Sequence, residues 1–122
     1  MEIDGLNGKR ITDLSYLISL CGEDDDFKIE MIETFLKNTP PLINDMKNYI
    51  FDSDWKKIGD IAHKMKPSFQ FMGIHTAKEL ILNIERQGRE MEDVSSIPTM
   101  VQELESICNR AFSELEMELT VN

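Results

Sequence analysis

No apolar run in this chain approaches the ~20 residues that a membrane-spanning helix needs, so no spanning segment is expected. The opening Met1-Glu2-Ile3-Asp4-Gly5 lacks the basic and apolar regions of a secretory signal, and a cytoplasmic location is expected. Cysteine is scarce: Cys21 and Cys108 are the only two, carry no metal-ligand spacing, and each falls on an apolar stripe. Buried, reduced thiols are expected rather than a disulfide. Cations are in deficit, 13 Lys and Arg against 23 Asp and Glu, giving a net charge of −10. A polyanion would be repelled, so nucleic acid is not an expected partner. There is neither a P-loop nor a kinase glycine-rich loop, which argues against self-phosphorylation from ATP. No internal repeat, low-complexity tract or sustained period-2 run is present.

What remains is a chain of 122 residues, 41% hydrophobic and 30% charged, long enough for one domain over residues 1–122 with a real core. Its charge is unevenly spread. Residues 1–53 hold 5 basic and 11 acidic side chains, and residues 91–122 hold 1 and 7. Residues 54–90 hold 7 basic and 5 acidic, a segment near +2 between two segments of −6. A local positive field suits a transferring phosphoryl group or an acidic partner surface; chance decoration of a surface accounts for it equally well.

Every periodic segment reads as helix. Leu14, Leu17, Ile18 and Cys21 form a short stripe that Gly22 stops. Asp24, Asp25 and Asp26 cap a second helix carrying Phe27, Met31, Ile32, Phe35 and Leu36. Pro40-Pro41 should kink or break it before the pattern resumes at Leu42, Ile43, Met46, Tyr49 and Ile50. Asp52-Ser53-Asp54 then caps a third helix over about residues 54–72. Beyond Gly73, a stripe of Ala77, Leu80, Ile81, Ile84, Gly88 and Met91 marks a fourth. Ser95-Ser96-Ile97-Pro98 opens the last, which buries Val101, Leu104, Cys108, Ala111, Leu115 and Leu119. The simplest packing is all-α: an up-down-up-down antiparallel four-helix bundle with a short extra N-terminal helix.

His63 stands out on the third helix. Wound at about 100° per residue from His63, Ile58, Ile61, Ala62, Met65, Phe69 and Met72 fall between about 160° and 260°, one apolar stripe. Gly59, Lys66, Pro67 and Gln70 lie within about 60° of His63 on the opposite side. An imidazole largely neutral at pH 7 has a lone pair able to attack phosphorus. Lys66, one turn on, can meet the negative charge that develops on the phosphoryl oxygens. Gly59 and the compact Pro67 provide clearance for a partner's reacting group. Pro67 also lacks the amide that would bond the His63 carbonyl, so a local kink is expected there.

The run Ala62-His63-Lys64-Met65-Lys66-Pro67-Ser68, with Gly73 ten residues past the histidine, resembles the signature of histidine-containing phosphotransfer (Hpt) domains of two-component phosphorelays. Asp54-Trp55, Ile84-Glu85-Arg86-Gln87-Gly88-Arg89 and the stretch from Asp24 to Pro41 fall where that family has similar residues, so the resemblance spans about residues 12–118. Pro67 departs from it, standing where glycine is commonest. The resemblance implies that His63 accepts a phosphoryl group from the aspartyl phosphate of one receiver domain and passes it to another. Lys66 would stabilise the phosphohistidine and Ser68 would support the local geometry. Glu85 would take the place of a polar residue that holds the imidazole in many members; a carboxylate there can accept the ring N–H and set the tautomer. Gly59, Lys64, Pro67, Ser68, Gln70, Phe71 and Gly73 complete the implied docking surface. Implied partners are response-regulator receivers and a hybrid sensor histidine kinase, met by a monomer that needs no cofactor.

Two other readings stand beside this one. A helical adaptor that docks receivers or other signalling partners without carrying phosphate would show the same helical pattern. A hydrolytic or metal-dependent enzyme is disfavoured, because no carboxylate pair or ligand cluster has matched spacing. His63 and His75 do not share a face with zinc-ligand spacing, and His75, at a helix start, reads as a solvated or capping residue. The methionines read as core filler and groove surface, and Trp55 as core packing at a helix start.

Overall fold

The computed structural model describes residues 10–120, and within them every regular element is helical. Five α-helices follow one another: α1 (Ser15–Cys21), α2 (Asp25–Phe51), α3 (Trp55–Phe71), α4 (Lys78–Glu90) and α5 (Ile97–Thr120). Short 3₁₀ turns, His75–Ala77 and Val94–Ser96, lead into α4 and α5. The caps fall where short acidic side chains precede apolar stripes. Asp24 accepts from the Phe27 amide at 3.0 Å and Asp54 from the Lys57 amide at 3.4 Å.

The stripes meet in one core. Ile32, Phe35, Ile43 and Met46 of α2 are buried with Ile58, Ile61, Met65 and Phe69 of α3. Ile81 and Ile84 of α4 and Val101, Leu104, Cys108 and Leu115 of α5 are buried with them. Each such side chain contributes roughly 1.5–3 kcal/mol when removed from water. Leu17 of the short α1 is fully buried too, and the Tyr16 ring stacks on Phe71 of α3 at 5.7 Å. No described helix is long and apolar enough to cross a membrane.

At four points the described helices bear on a local expectation. First, α2 runs without a break through Pro40 and Pro41. Both prolines face solvent, while Phe35, Thr39, Ile43 and Met46 are buried on the other side. A proline inside a helix costs about 3 kcal/mol, and a continuous buried stripe of four residues offsets that. Second, α3 also continues as helix through the exposed Pro67, with no break in it. Third, Ser96 does not cap with its side chain: its single hydroxyl proton is directed between Gln87 Oε1 at 2.8 Å and the Asp93 carbonyl at 2.9 Å. Fourth, Met91 lies outside the buried stripe of α4, because the chain turns left-handed there at φ 57° and leaves it exposed.

Two glycines let α3 and α4 meet backbone to backbone. A Cβ on Gly88 would stand 2.6 Å from the Trp55 carbonyl oxygen and 2.9 Å from the Gly59 nitrogen. One on Gly59 would lie 3.0 Å from both the Glu85 oxygen and the Arg89 nitrogen. Trp55 and Gly59 on α3 meet Gly88 on α4, while His63 meets Glu85, so the two helices run antiparallel. A second tight point lies at the far end of α3. Gly73, at φ 65°, leaves room for the Asp13 backbone, whose amide donates to the Met72 carbonyl at 3.1 Å. Just upstream, the Glu114 carboxylate of α5 accepts from the amides of Ile11 and Thr12 and from the Thr12 hydroxyl, at 2.7–3.1 Å. The first described residues are thereby strapped across the end of the bundle.

Candidate functional site

The α3–α4 crossing decides what His63 faces. His63 lies one turn beyond Gly59, and Glu85 lies nearly one turn before Gly88, so the close approach of the glycines brings the two side chains together. His63 Nδ1 is 2.7 Å from Glu85 Oε2, while the His63 side chain keeps 55% of its surface exposed. Lys66 Nζ donates to the other carboxylate oxygen, Oε1, at 2.8 Å. Glu85 is itself only 14% exposed, set at the foot of the exposed His63 ring and the half-exposed Lys66 ammonium.

The electrostatics follow from that geometry. The Lys66 ammonium holds the Glu85 carboxyl below its ordinary range; the His63 hydrogen bond adds to the effect, and desolvation opposes it. Glu85 is therefore an ionised, acceptor-only group at neutral pH, and the 2.7 Å contact makes Nδ1 the donor. In a neutral imidazole the proton on Nδ1 leaves the lone pair on Nε2. The ring is thus fixed in tautomer and orientation by a carboxylate that is fixed in turn.

Two contributors escaped the sequence reading. Arg89 Nη1 donates to Glu85 Oε2 at 3.0 Å, and Arg89 Nε donates to Asp60 Oδ1 at 2.9 Å. Arg89 bridges the two helices and holds the Glu85 oxygen that Lys66 does not. A signal was present, since Glu85 and Arg89 stand four residues apart, the spacing at which opposite charges pair on a helix. Asp60 carried no such mark until α4 was placed against α3.

The remaining sequence-nominated residues divide into two groups. Lys64, Pro67 and Gln70 are exposed on the His63 side of α3. Gly59 and Gly73 are buried, so neither touches a partner, and their place in the docking surface must be corrected. Gly59 instead accommodates the α4 backbone, and Gly73 accommodates Asp13. Ser68 turns into its own helix, its hydroxyl donating to the Met65 carbonyl at 3.0 Å, because it lies about 140° around α3 from His63. Phe71 is half-buried beneath Tyr16 rather than displayed alone; the exposed part of that pair is the Tyr16 ring. His75 is exposed in the 3₁₀ turn, with Nε2 3.9 Å from Asp13 Oδ2 and no tighter partner among the described residues. Cys108 is buried, and burial pushes its thiol up to about 12, whereas Cys21 is half-buried; both are free thiols. No cluster of three or more metal-ligating side chains occurs among the described residues.

Comparison with known proteins gave one match. The family model described as the Hpt domain matches residues 30–117, which takes in α3, α4 and every residue of the His63 cluster. No curated protein and no solved structure matches the chain.

Proposed function

Because the chain belongs to the Hpt domain family, a family of phosphotransfer in two-component signalling, we propose that it is a phosphorelay intermediate with His63 as the phosphorylated residue. The observation that carries this reading is the His63–Glu85 hydrogen bond at 2.7 Å, which leaves Nε2 as the nucleophile on a half-exposed ring beside a cation.

The chemistry balances without a cofactor of its own. Nε2 attacks the phosphorus of a receiver's aspartyl phosphate, the N–P bond forms as the P–O bond to the aspartate breaks, and the carboxylate leaves with the electron pair. Lys66 swings from Glu85 to the phosphoryl oxygens and meets their charge. The Nδ1 proton stays on the ring, and Glu85, accepting from it, stabilises the ring as it becomes cationic in the transition state. Transfer to a second receiver is the same step reversed on a different aspartate. Lys64, Pro67 and Gln70 surround the ring on the docking side, and the Tyr16–Phe71 stack extends that side with apolar surface.

The proposed setting is a cytoplasmic monomer, one domain over residues 1–122, that meets receiver domains and a hybrid sensor histidine kinase. Its four longer helices are read as an up-down-up-down antiparallel bundle; the contacts of α2 with α3, α3 with α4, α4 with α5 and α5 with α2 support that order.

The test is incubation with a phosphorylated receiver followed by mass spectrometry. One acid-labile, base-stable phosphoryl group on His63 is expected, with none on His63→Gln and an unchanged helical circular dichroism spectrum. Label on another residue, or none on the wild-type chain, would refute the assignment. Receiver binding that persists without any label would favour the adaptor reading instead.

A further inference from the structure

Beyond Lys66 the two helices no longer touch backbone to backbone, and a groove of about 320 Å³ opens between the end of α3 and the start of α4. At ~30 Å³ per water this is room for about ten waters. It accepts one bulky side chain with its neighbours but not a whole helix, whose diameter is ~10 Å. Its floor is apolar, built from Phe69, Ile74 and Ile81, with Leu82 as an exposed wall. Its rim is cationic or polar: Lys66, Gln70, His75 and Lys78. Lys78 is exposed and has no ion pair or hydrogen-bond partner among the described residues, and His75 makes only its long contact to Asp13. The charge is out of keeping with a chain of net −10.

We infer that this groove binds an acidic amphipathic segment of a partner protein, one that seats an apolar side chain on Phe69 and Ile81 and sets carboxylates against Lys78 and Lys66. Charge complementarity and size select this occupant: apolar peptides would desolvate the polar rim without supplying it partners, and basic ones would be repelled. The groove is separate from the exposed face of His63 but shares Lys66 with it. A carboxylate entering the groove competes with Glu85 for the Lys66 ammonium, so occupancy would change the cation's availability at His63. That coupling alone rests on the phosphotransfer reading; the binding site does not.

The probe is a short fluorescein-labelled peptide of alternating Glu and Leu around one Phe, compared with a version carrying Lys for Glu. The acidic peptide should raise fluorescence anisotropy and the basic one should not. In ¹⁵N-labelled protein, amide shifts should cluster at Phe69, Ile74, Lys78 and Ile81. Lys78→Glu and Leu82→Asp, both at exposed positions, should each weaken binding by about tenfold or more, since like charge or a buried carboxylate then faces the peptide. His63→Gln should bind as well as wild type. Equal binding of the two peptides, shifts centred elsewhere, indifference to both variants, or loss of binding in His63→Gln would each overturn the groove assignment. Peptide binding that leaves the rate of His63 labelling unchanged would overturn the coupling to Lys66 and leave the groove in place.

Discussion

The two ends of the α3–α4 pair differ in how closely the helices approach. At the Gly59–Gly88 end no side chain separates them, and hydrogen-bonded groups from both helices converge within a turn: His63, Glu85, Arg89 and Asp60. At the other end Phe69, Ile74, Ile81 and Leu82 hold the helices apart, and the space between them is open to solvent. The contrast shows what backbone contact does for a surface site. His63 is more than half exposed, yet its orientation is determined, because Glu85 projects from a helix that cannot shift without a backbone clash. His75 makes the same point by default. It is also exposed and also near a carboxylate, but Asp13 stands 3.9 Å away on an irregular segment and fixes nothing.

Gly88→Leu tests this most severely. A Cβ there already collides with the Trp55 carbonyl, so the helices must separate; a loss of about 3 kcal/mol in urea unfolding is expected, with loss of the His63–Glu85 contact in NMR. A fully stable Gly88→Leu protein with unperturbed His63 resonances would show that the crossing does not position the site. Lys66→Ala should leave stability nearly unchanged and slow phosphoryl acceptance by about tenfold to hundredfold, as loss of a charge-stabilising donor does. Arg89→Ala removes a lateral brace while Lys66 still holds Glu85, so a smaller slowing, about severalfold, is expected. If Arg89→Ala proved the more damaging, Arg89 rather than Lys66 would be the cation that meets phosphate.

The smallest effect concerns acid stability. The Glu85 carboxyl titrates lower in the folded chain than its ordinary value of 4.5, so ionised Glu85 stabilises the fold above that pH. The contribution is lost as pH falls through the lower, folded-state value. Glu85→Gln should therefore remove part of the decline in stability on acidification below 4.5, seen as a flatter melting-temperature profile there. An unchanged acid limb would mean that the Lys66 and His63 contacts do not persist in solution.

The sequence was most informative where one helix suffices to judge. Stripe, cap and stop are local, and Asp24, Asp54 and Gly22 fall at helix boundaries as read. It misled where a second element decides. Pro40-Pro41 left room for a break because a donor count on one helix cannot include the burial that keeps α2 continuous. Gly59 looked like clearance for a partner because a helical wheel places it near His63 without showing that α4 lies against it. Ser68 belonged to the motif's neighbourhood in sequence but not to its face in space.

The order of amino acids by itself determined that this chain is helical, where its main stripes lie, and that His63 and Lys66 share a side of one helix, since these depend on a period of about 3.6 residues and nothing further. Only the packing of α3 on α4 decided that Glu85 joins His63 to Lys66, that Arg89 and Asp60 brace the cluster, and that a cation-rimmed groove opens beyond it. Those contacts link residues about twenty to thirty positions apart, and their distances are set by how closely two glycine-bearing backbones approach.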